Sequence, residues 1–443
     1  MTPTTTKDEC KIGRFLGEFD RLQSQWTENG SAWFMPLRQR AIERFAQLGF
    51  PTRKTEAWRF TNLDALAALE FSRPGPEDAA RIGEAETAPH RLGDEVAAEL
   101  VFVNGRYCEA LSRIGGQLEG AIVGSLSALA SAHRSRVEAW LGQCAAMETR
   151  PFLALNAALW RDGGCVLIPA GARIGKPIHM IHLGASAGSP LAVYPRHLFV
   201  VGAGASADLI ETYAGLDGAP VFTNAATEIA VGANAVARHA KLQREPSEAF
   251  HFAALGARLE RDARFSTIVF GLGARLAREE AICSLVDQGV ELDLNGLNVV
   301  DGDRHLDAFT TIDHAEPHCS SRETFKTIVD GQASGVFTGH ILVRPGAQKT
   351  DAKQSSHGLL LTEDATMHAQ PQLEIFADDV RCTHGATVGQ LDEKSMFYLR
   401  SRGIPEREAR AILIGAFASE VLDRLPIECL RGKIGGLLAE RFG

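Results

Sequence analysis

Between Val380 and Gly403 the sequence reads VRCTHGATVGQLDEKSMFYLRSRG, which sets a thiol, Cys382, two residues from an imidazole, His384. In an extended strand, residues i and i+2 project to the same face, so both side chains could reach one ion. Thiolate with imidazole suits iron or zinc, but two ligands do not close a coordination sphere. On spacing alone, a structural pair is the plainer reading. A second set, His314, His318 and Cys319, stands in IDHAEPHCSS. Pro317 argues against a shared helical face, so the zinc-protease arrangement is not met and ordinary polar roles in a loop or strand edge are expected.

Other chemistries are excluded by what the motifs lack. GARIGKP from Gly171 has neither the full glycine spacing of a phosphate loop nor a Ser or Thr after Lys176. There is no Gly-x-Ser-x-Gly elbow and no dinucleotide fingerprint between a strand and a helix. The eight cysteines, at 10, 108, 144, 165, 283, 319, 382 and 429, are too scattered for a CxxC zinc site or a secreted disulfide framework. They read as reduced thiols, most of them small buried apolar residues. No self-sufficient active site is expected, and no ATP hydrolysis.

The bounds agree. A chain of 443 residues can bury a sizeable core in two or three domains. Its net charge of -9, with no Lys/Arg cluster, argues against nucleic acid as a partner. MTPTTTKDECKIGRFLGEFD has no basic stretch followed by an apolar one, and no apolar run is long enough to span a bilayer. The expectation is a soluble, cytoplasmic protein with no membrane partner.

The elements that must position these residues change character along the chain. Residues 1–160 read as mostly helical: AWFMPLRQRAIERFAQL from Ala32 has apolar residues at helical spacing and stops at Gly49 and Pro51. Within this region LVFVNGRYCEAL carries the Asn-Gly step of a hairpin. Residues 161–390 show short apolar runs between Gly, Ala, Asn and Asp. A unit recurs there, with an aliphatic residue followed by a turn former and then a small residue, starting at Ile168, Val201, Val231, Leu259, Leu285, Val329 and Leu361. The starts lie 26 to 44 residues apart, the range of solenoids.

Strands at that period without intervening helices predict a mainly β fold, a parallel β-helix whose Gly and Asn residues take left-handed corners. An ordinary β-sandwich is the alternative. Residues 391–443 return to helix: DEKSMFYLRSRG is capped by Gly403, and Pro405-Glu406 opens the next helix. Its stripe is read as Ile412, Leu413, Ala416, Phe417, Val421, Leu422 and Leu425.

ADDVRCTHGATVGQLDEKSMFYLRSRGI, from Ala377 to Ile404, resembles the C-terminal signature of the SufB/SufD family of iron-sulfur cluster assembly proteins. GFPTRKTEAWRFTNL from Gly49 is similar to its N-terminal motif, VFVNGRY from Val101 to its SufD side, and KTIVDGQASGVFTGHILVRPGAQKTDAKQ from Lys326 to the shared core. Family members of the SufB type carry a functional cysteine upstream of the CTHGAT motif. LTEDATMHAQPQLEIF from Leu361 has none, which favours SufD.

The resemblance implies a β-helical core between helical terminal regions, in a non-enzymatic scaffold subunit. Its partners would be a SufB-like paralogue and a SufC-type ABC ATPase docked on the C-terminal helices, between about Asp392 and Leu425. It implies a transient iron-sulfur cluster at the interface, none being tightly bound by this chain alone, with His384 facing the paralogue and Cys382 as a weaker neighbour. Cys10, Cys108, Cys144, Cys165, Cys283 and Cys429 are then expected to be dispensable, with Cys319 and Cys382 open. Deleting residues 392–443 is expected to abolish ATPase binding and leave the β core folded.

Two other classes stay open. IPAGARIGKPI from Ile168 has aliphatics six apart, as in β-helical hexapeptide acyltransferases, although the period lapses after Ile178. A structural homodimer without a metal role would use the open end of the β-helix as its pairing surface.

Overall fold

The computed structural model of the protein describes residues 5–28 and 32–442. Helix α1 (Thr5–Glu28) and helix α2 (Met35–Leu48) come first, and strand β1 (Ala98–Val103) and helix α3 (Pro151–Leu159) complete the N-terminal region. Sixteen strands then alternate between two sheets. The even ones are β2 (Gly164–Ile168), β4 (Arg196–Val201), β6 (Val221–Val231), β8 (Phe250–Leu259), β10 (Leu276–Leu285), β12 (His305–His314), β14 (Ser334–Val343) and β16 (Thr366–Ile375). The odd ones are β3 (Ile178–Gly184), β5 (Ser206–Gly215), β7 (Val236–Gln243), β9 (Arg264–Gly271), β11 (Glu291–Val300), β13 (Ser320–Val329), β15 (Asp351–Leu360) and β17 (Arg381–Gly389). Each sheet stacks in parallel, giving a solenoid of eight coils. Helices α4 (Glu393–Ser401), α5 (Glu406–Leu422) and α6 (Glu428–Phe442) follow. The fold is the expected parallel β-helix between helical regions.

Corner geometry explains the turn formers. After successive even strands, Gly171, Gly204, Asn234, Asp262, Gly289, His318 and Lys349 all take positive φ, between 54° and 75°. Each donates its N–H to a carbonyl in the next coil, for example Gly204 to Ala233 at 2.8 Å and Lys349 to Asp379 at 2.7 Å. The corners therefore stack as a ladder of their own. Glycine, and less readily Asn or Asp, accepts this backbone, so the first five corners are built from them.

The recurring unit was a true register for its first five members. Ile168, Val201, Val231, Leu259 and Leu285 are successive Cα partners across the even strands. Val329 belongs instead to the odd sheet, where its partner is Leu360, next to Leu361. The 44-residue interval thus spans a coil and a half, past His314, the even-sheet partner of Leu285.

Helices cover the outer faces of both sheets. All nine residues of α3 are buried against the even sheet. The buried guanidinium of Arg38 on α2 donates to the carbonyl oxygens of Ala158 and Trp160, both at 2.7 Å, and so closes the end of α3. The 49–63 motif is a clamp on the same sheet. Arg278 lies 4.0 Å over the Trp58 ring, Thr61 Oγ1 donates to Asp307 Oδ2 at 2.5 Å, and Phe60 stacks on His368 at 4.1 Å.

The predicted hairpin forms, with Phe102 opposite Tyr107 and Val103 opposite Arg106. Its strand β1 also pairs in parallel with β3, so it begins the odd sheet. The side chain of Cys10 lies outside the described residues.

Candidate functional site

Strand β17 pairs in parallel with β15, setting Cys382 beside Ala352, His384 beside Gln354 and Ala386 beside Ser356. Ala352, Gln354 and Ser356 are buried in the solenoid interior, so Cys382 and His384 face the same way, as their spacing requires. Among the described residues no strand lies beyond β17 in its sheet. His384 is consequently exposed and Cys382 half-buried. Burial raises the Cys382 thiol pKa.

Across the coil, β16 sets Met367, Ala369, Pro371, Leu373 and Ile375 in register with the inward residues of β14. Together the two strands form one face of a core layer whose other face is missing, with Ile375 40% and Val388 45% exposed. Pro371, without a backbone N–H, is at home in such an edge strand.

Behind His384 the interior turns polar. One inward file runs through Ile178, Leu209, His239, Thr267, Leu294, Glu323, Gln354 and His384, each in register with the next. Glu323 is buried and accepts from Thr310 Oγ1 at 2.5 Å and Gln354 Nε2 at 2.6 Å. No cation among the described residues compensates it, and burial pushes its pKa up to about 7.

Further inside, Lys241 meets Glu279 at 2.8 Å, His251 meets Glu245 at 2.6 Å and His239 meets Glu211 at 3.0 Å. Burial alone would raise Glu211, but His197, His239 and Lys241 outweigh it and hold the carboxyl well below the usual range. This network satisfies its own charges, as buried ions must.

The remaining candidates lie within the solenoid or at its corners. His314 is buried, 2.9 Å from Ser321 Oγ, with its pKa lowered to about 4 by burial. His318 is a corner residue. The Cys319 thiol donates to the Asp287 carbonyl at 3.3 Å within the core, and burial raises its pKa. Cys165 and Cys283 are buried with pKa values pushed up to about 12. Among the described residues no three His, Cys, Asp or Glu side chains are grouped to hold a metal ion. The pair at the open end is half of a site at most.

The C-terminal helices divide their surface differently from the sequence reading. Helix α5 buries Ala409, Ile414, Ala418 and Val421, and with α6 it covers Ile268, Phe270 and Leu297 on the odd sheet. Lys326 ties α5 down through the Phe417 carbonyl at 3.0 Å and the Glu420 carboxylate. Ile412 and Ala416 face outward instead, because the helix presents the face led by Ile414 and Ala418 to the sheet. Deleting residues 392–443 would therefore bare an apolar sheet face, so the helices are not a separable appendage. Outward-facing Phe397 and Tyr398 are 75% and 58% exposed, and Phe397 helps line an open cleft of about 820 Å³ with Leu361, Leu391, Met396, Arg400 and Arg410.

The structure defines a class of protein by its fold, a parallel β-solenoid between helical regions with Cys382 and His384 on its last coil. The sequence comparisons make the class specific. The SUF system FeS cluster assembly SufBD core domain matches residues 182–417, and the SufBD protein N-terminal region matches residues 13–180. The chain belongs to the SufBD family and acts in iron-sulfur cluster assembly. It is 33% identical to the iron-sulfur cluster assembly protein SufD of Escherichia coli, over 92% of this chain and 93% of that one. It is 33% identical to a SufBD family protein of Synechocystis, over 90% and 88% of the two chains, and 25% identical to SufD of Bacillus subtilis, over 93% and 94%. No described helix is long and apolar enough to cross a membrane.

Proposed function

We propose that the chain is a non-enzymatic scaffold subunit whose open solenoid end pairs with a SufB-like paralogue, and that the nascent cluster, as cargo, takes one ligand from His384. The observation that carries this reading is the unfinished last coil. Its inward face exposes Ile375 and Val388 beside an exposed imidazole, and a second solenoid end supplies the missing half of such a layer. Neutral imidazole is a good iron ligand, and the partner would complete the coordination sphere. Cys382 is the weaker ligand because its raised pKa makes ionisation costly. A SufC-type ATPase docks on the outward face of α4 and α5, around Phe397 and Tyr398.

The test uses the full chain co-expressed with its partners. His384→Ala leaves the melting temperature and complex formation unchanged, because an exposed side chain contributes within about 0.5 kcal/mol. Cluster yield falls by about tenfold or more. Normal yield in an intact complex would remove His384 from the site. Phe397→Ala with Tyr398→Ala weakens ATPase binding by more than about 1 kcal/mol each, as buried aromatic anchors do. Unchanged affinity would move the docking face elsewhere.

A further inference from the structure

Gln354 sits between a buried carboxylate and the His384 position, and only one end of its amide is used. Nε2 donates to Glu323 Oε2 at 2.6 Å, while Thr310 holds the other carboxylate oxygen at 2.5 Å. The amide also fills the space left by Gly339 on the opposite strand. A Cβ there would come within 2.3 Å of Nε2 and 2.8 Å of Cδ. The group is thus held on two sides.

Its Oε1 nevertheless has no hydrogen-bond partner, although Gln354 is only 3% exposed. A buried orphan acceptor costs about 1–3 kcal/mol. With Nε2 turned toward Glu323 in the coil behind, Oε1 is left for a donor in the coil ahead. That coil is β17, whose residue in register is His384, one strand spacing of about 4.8 Å away. On that face Ala386 and Val388 offer no side-chain donor, and Cys382, beside Ala352 rather than Gln354, offers only a weak S–H.

We infer that Gln354 is the positioning residue for His384: its Oε1 accepts the imidazole N–H, fixes the tautomer and leaves the other, unprotonated nitrogen facing outward. This rests on His384 as a cluster ligand. A neutral imidazole has one N–H and one lone pair, so the acceptor behind the ring decides which nitrogen can bind iron. Metal-ligating histidines are commonly held this way by a carbonyl or carboxylate. The glycine at 339 and the carboxylate at 323 are the parts that aim the amide.

The experiment is ¹⁵N spectroscopy of histidine-labelled full chain in its partner complex, with the His384 signals assigned by their loss in His384→Ala. At neutral pH the wild-type ring shows a single tautomer, one nitrogen protonated and one not. Gln354→Met keeps the shape and removes the acceptor. The ring then averages between tautomers, and cluster yield falls roughly 10–100-fold. Gly339→Ala presses on the amide, and on the Phe337 ring beside it, without changing residue 354, and gives the same averaged spectrum.

A merely structural role for Gln354 would lower the melting temperature and leave the tautomer unchanged in both variants, which overturns the inference. A wild-type ring that already averages overturns it without any variant, so misfolding of either substitution does not protect it. The two failures separate cleanly. Normal cluster yield in His384→Ala sinks the ligand reading, whereas loss of yield there with normal yield and one tautomer in Gln354→Met sinks only the positioning role.

Discussion

The two ends of the solenoid are built on opposite terms. At the N-terminal end the first strand of each sheet is closed by the chain itself: β1 by antiparallel segments at Arg106–Tyr107 and Arg113–Ile114, and β2 by Ile122–Ser125. Every residue of β1 and β2 is buried. At the C-terminal end no strand of the described residues pairs with the outer edge of β16 or β17, and most of their residues are exposed. The inward file begins with Ile178 and Leu209, passes His239, Thr267 and Leu294, and ends in Glu323, Gln354 and His384. A terminal coil left uncapped, with apolar Ile375 and Val388 exposed on it, is suited to meet another surface.

The sharpest way to break this contrast is to put one charge at each end. Leu100→Asp, at a fully buried position, introduces an unpaired buried carboxylate. That costs several kcal/mol, a large part of the stability of a domain. Val388→Asp changes the stability of the isolated chain by no more than about 0.5 kcal/mol but blocks pairing. Thermal melts and size-exclusion of the mixed subunits read both effects. Unfolding of the Val388 variant on its own would mean that the end is not open.

Glu323 gives a smaller, pH-dependent signal. Its folded pKa of about 7 lies above the unfolded value near 4.5, so the folded state holds the proton more tightly. Its contribution to stability is therefore present below pH 4.5 and is lost as pH rises through 7, by at most about 3 kcal/mol. Glu323→Gln flattens that slope and stabilises the chain more at pH 8 than at pH 5. An unchanged slope in urea titrations at the two pH values would assign the pH dependence elsewhere.

The smallest effect lies in the corners. His318 and Lys349, toward the open end, take the left-handed backbone that glycine takes at Gly171 and Gly204. His318→Gly and Lys349→Gly should each gain about 0.5–1 kcal/mol, and Gly204→Ala should lose about 1 kcal/mol. No Cβ clash stands at Gly204, so its loss would be conformational. A loss of stability in His318→Gly and Lys349→Gly, or none in Gly204→Ala, would contradict the ladder.

Much of this architecture was legible because the corners write themselves into the sequence. A left-handed residue once per coil demands Gly, Asn or Asp, and the aliphatic residue before it marks the end of an even strand. The reading slipped after Leu285, because His318 and Lys349 do not look like corner residues and the count resumed on the other sheet. The Cys382–His384 pair was visible through its spacing. Glu323 and Gln354 were not, because in a strand a polar residue among alternating apolar ones reads as solvent-facing. KQSSHGLL around Gln354 has no alternation to decide which side is inward. The buried face of α5 was missed for a related reason. Its apolar residues surround the helix, so periodicity alone does not choose Ile414 over Ile412.

The clamp of Trp58, Phe60 and Thr61 has a consequence for how the chain assembles itself. Each coil needs only the coil before it, so the solenoid can grow in the order in which it is synthesised. The clamp cannot: Trp58 waits for Arg278, Thr61 for Asp307, and Phe60 for His368 in the last even strand. Such distant contacts pay their loop-closure entropy late. The segment near the start of the polypeptide is therefore among the last to find its place, and its closure over the even sheet marks a subunit whose final coil is already laid down.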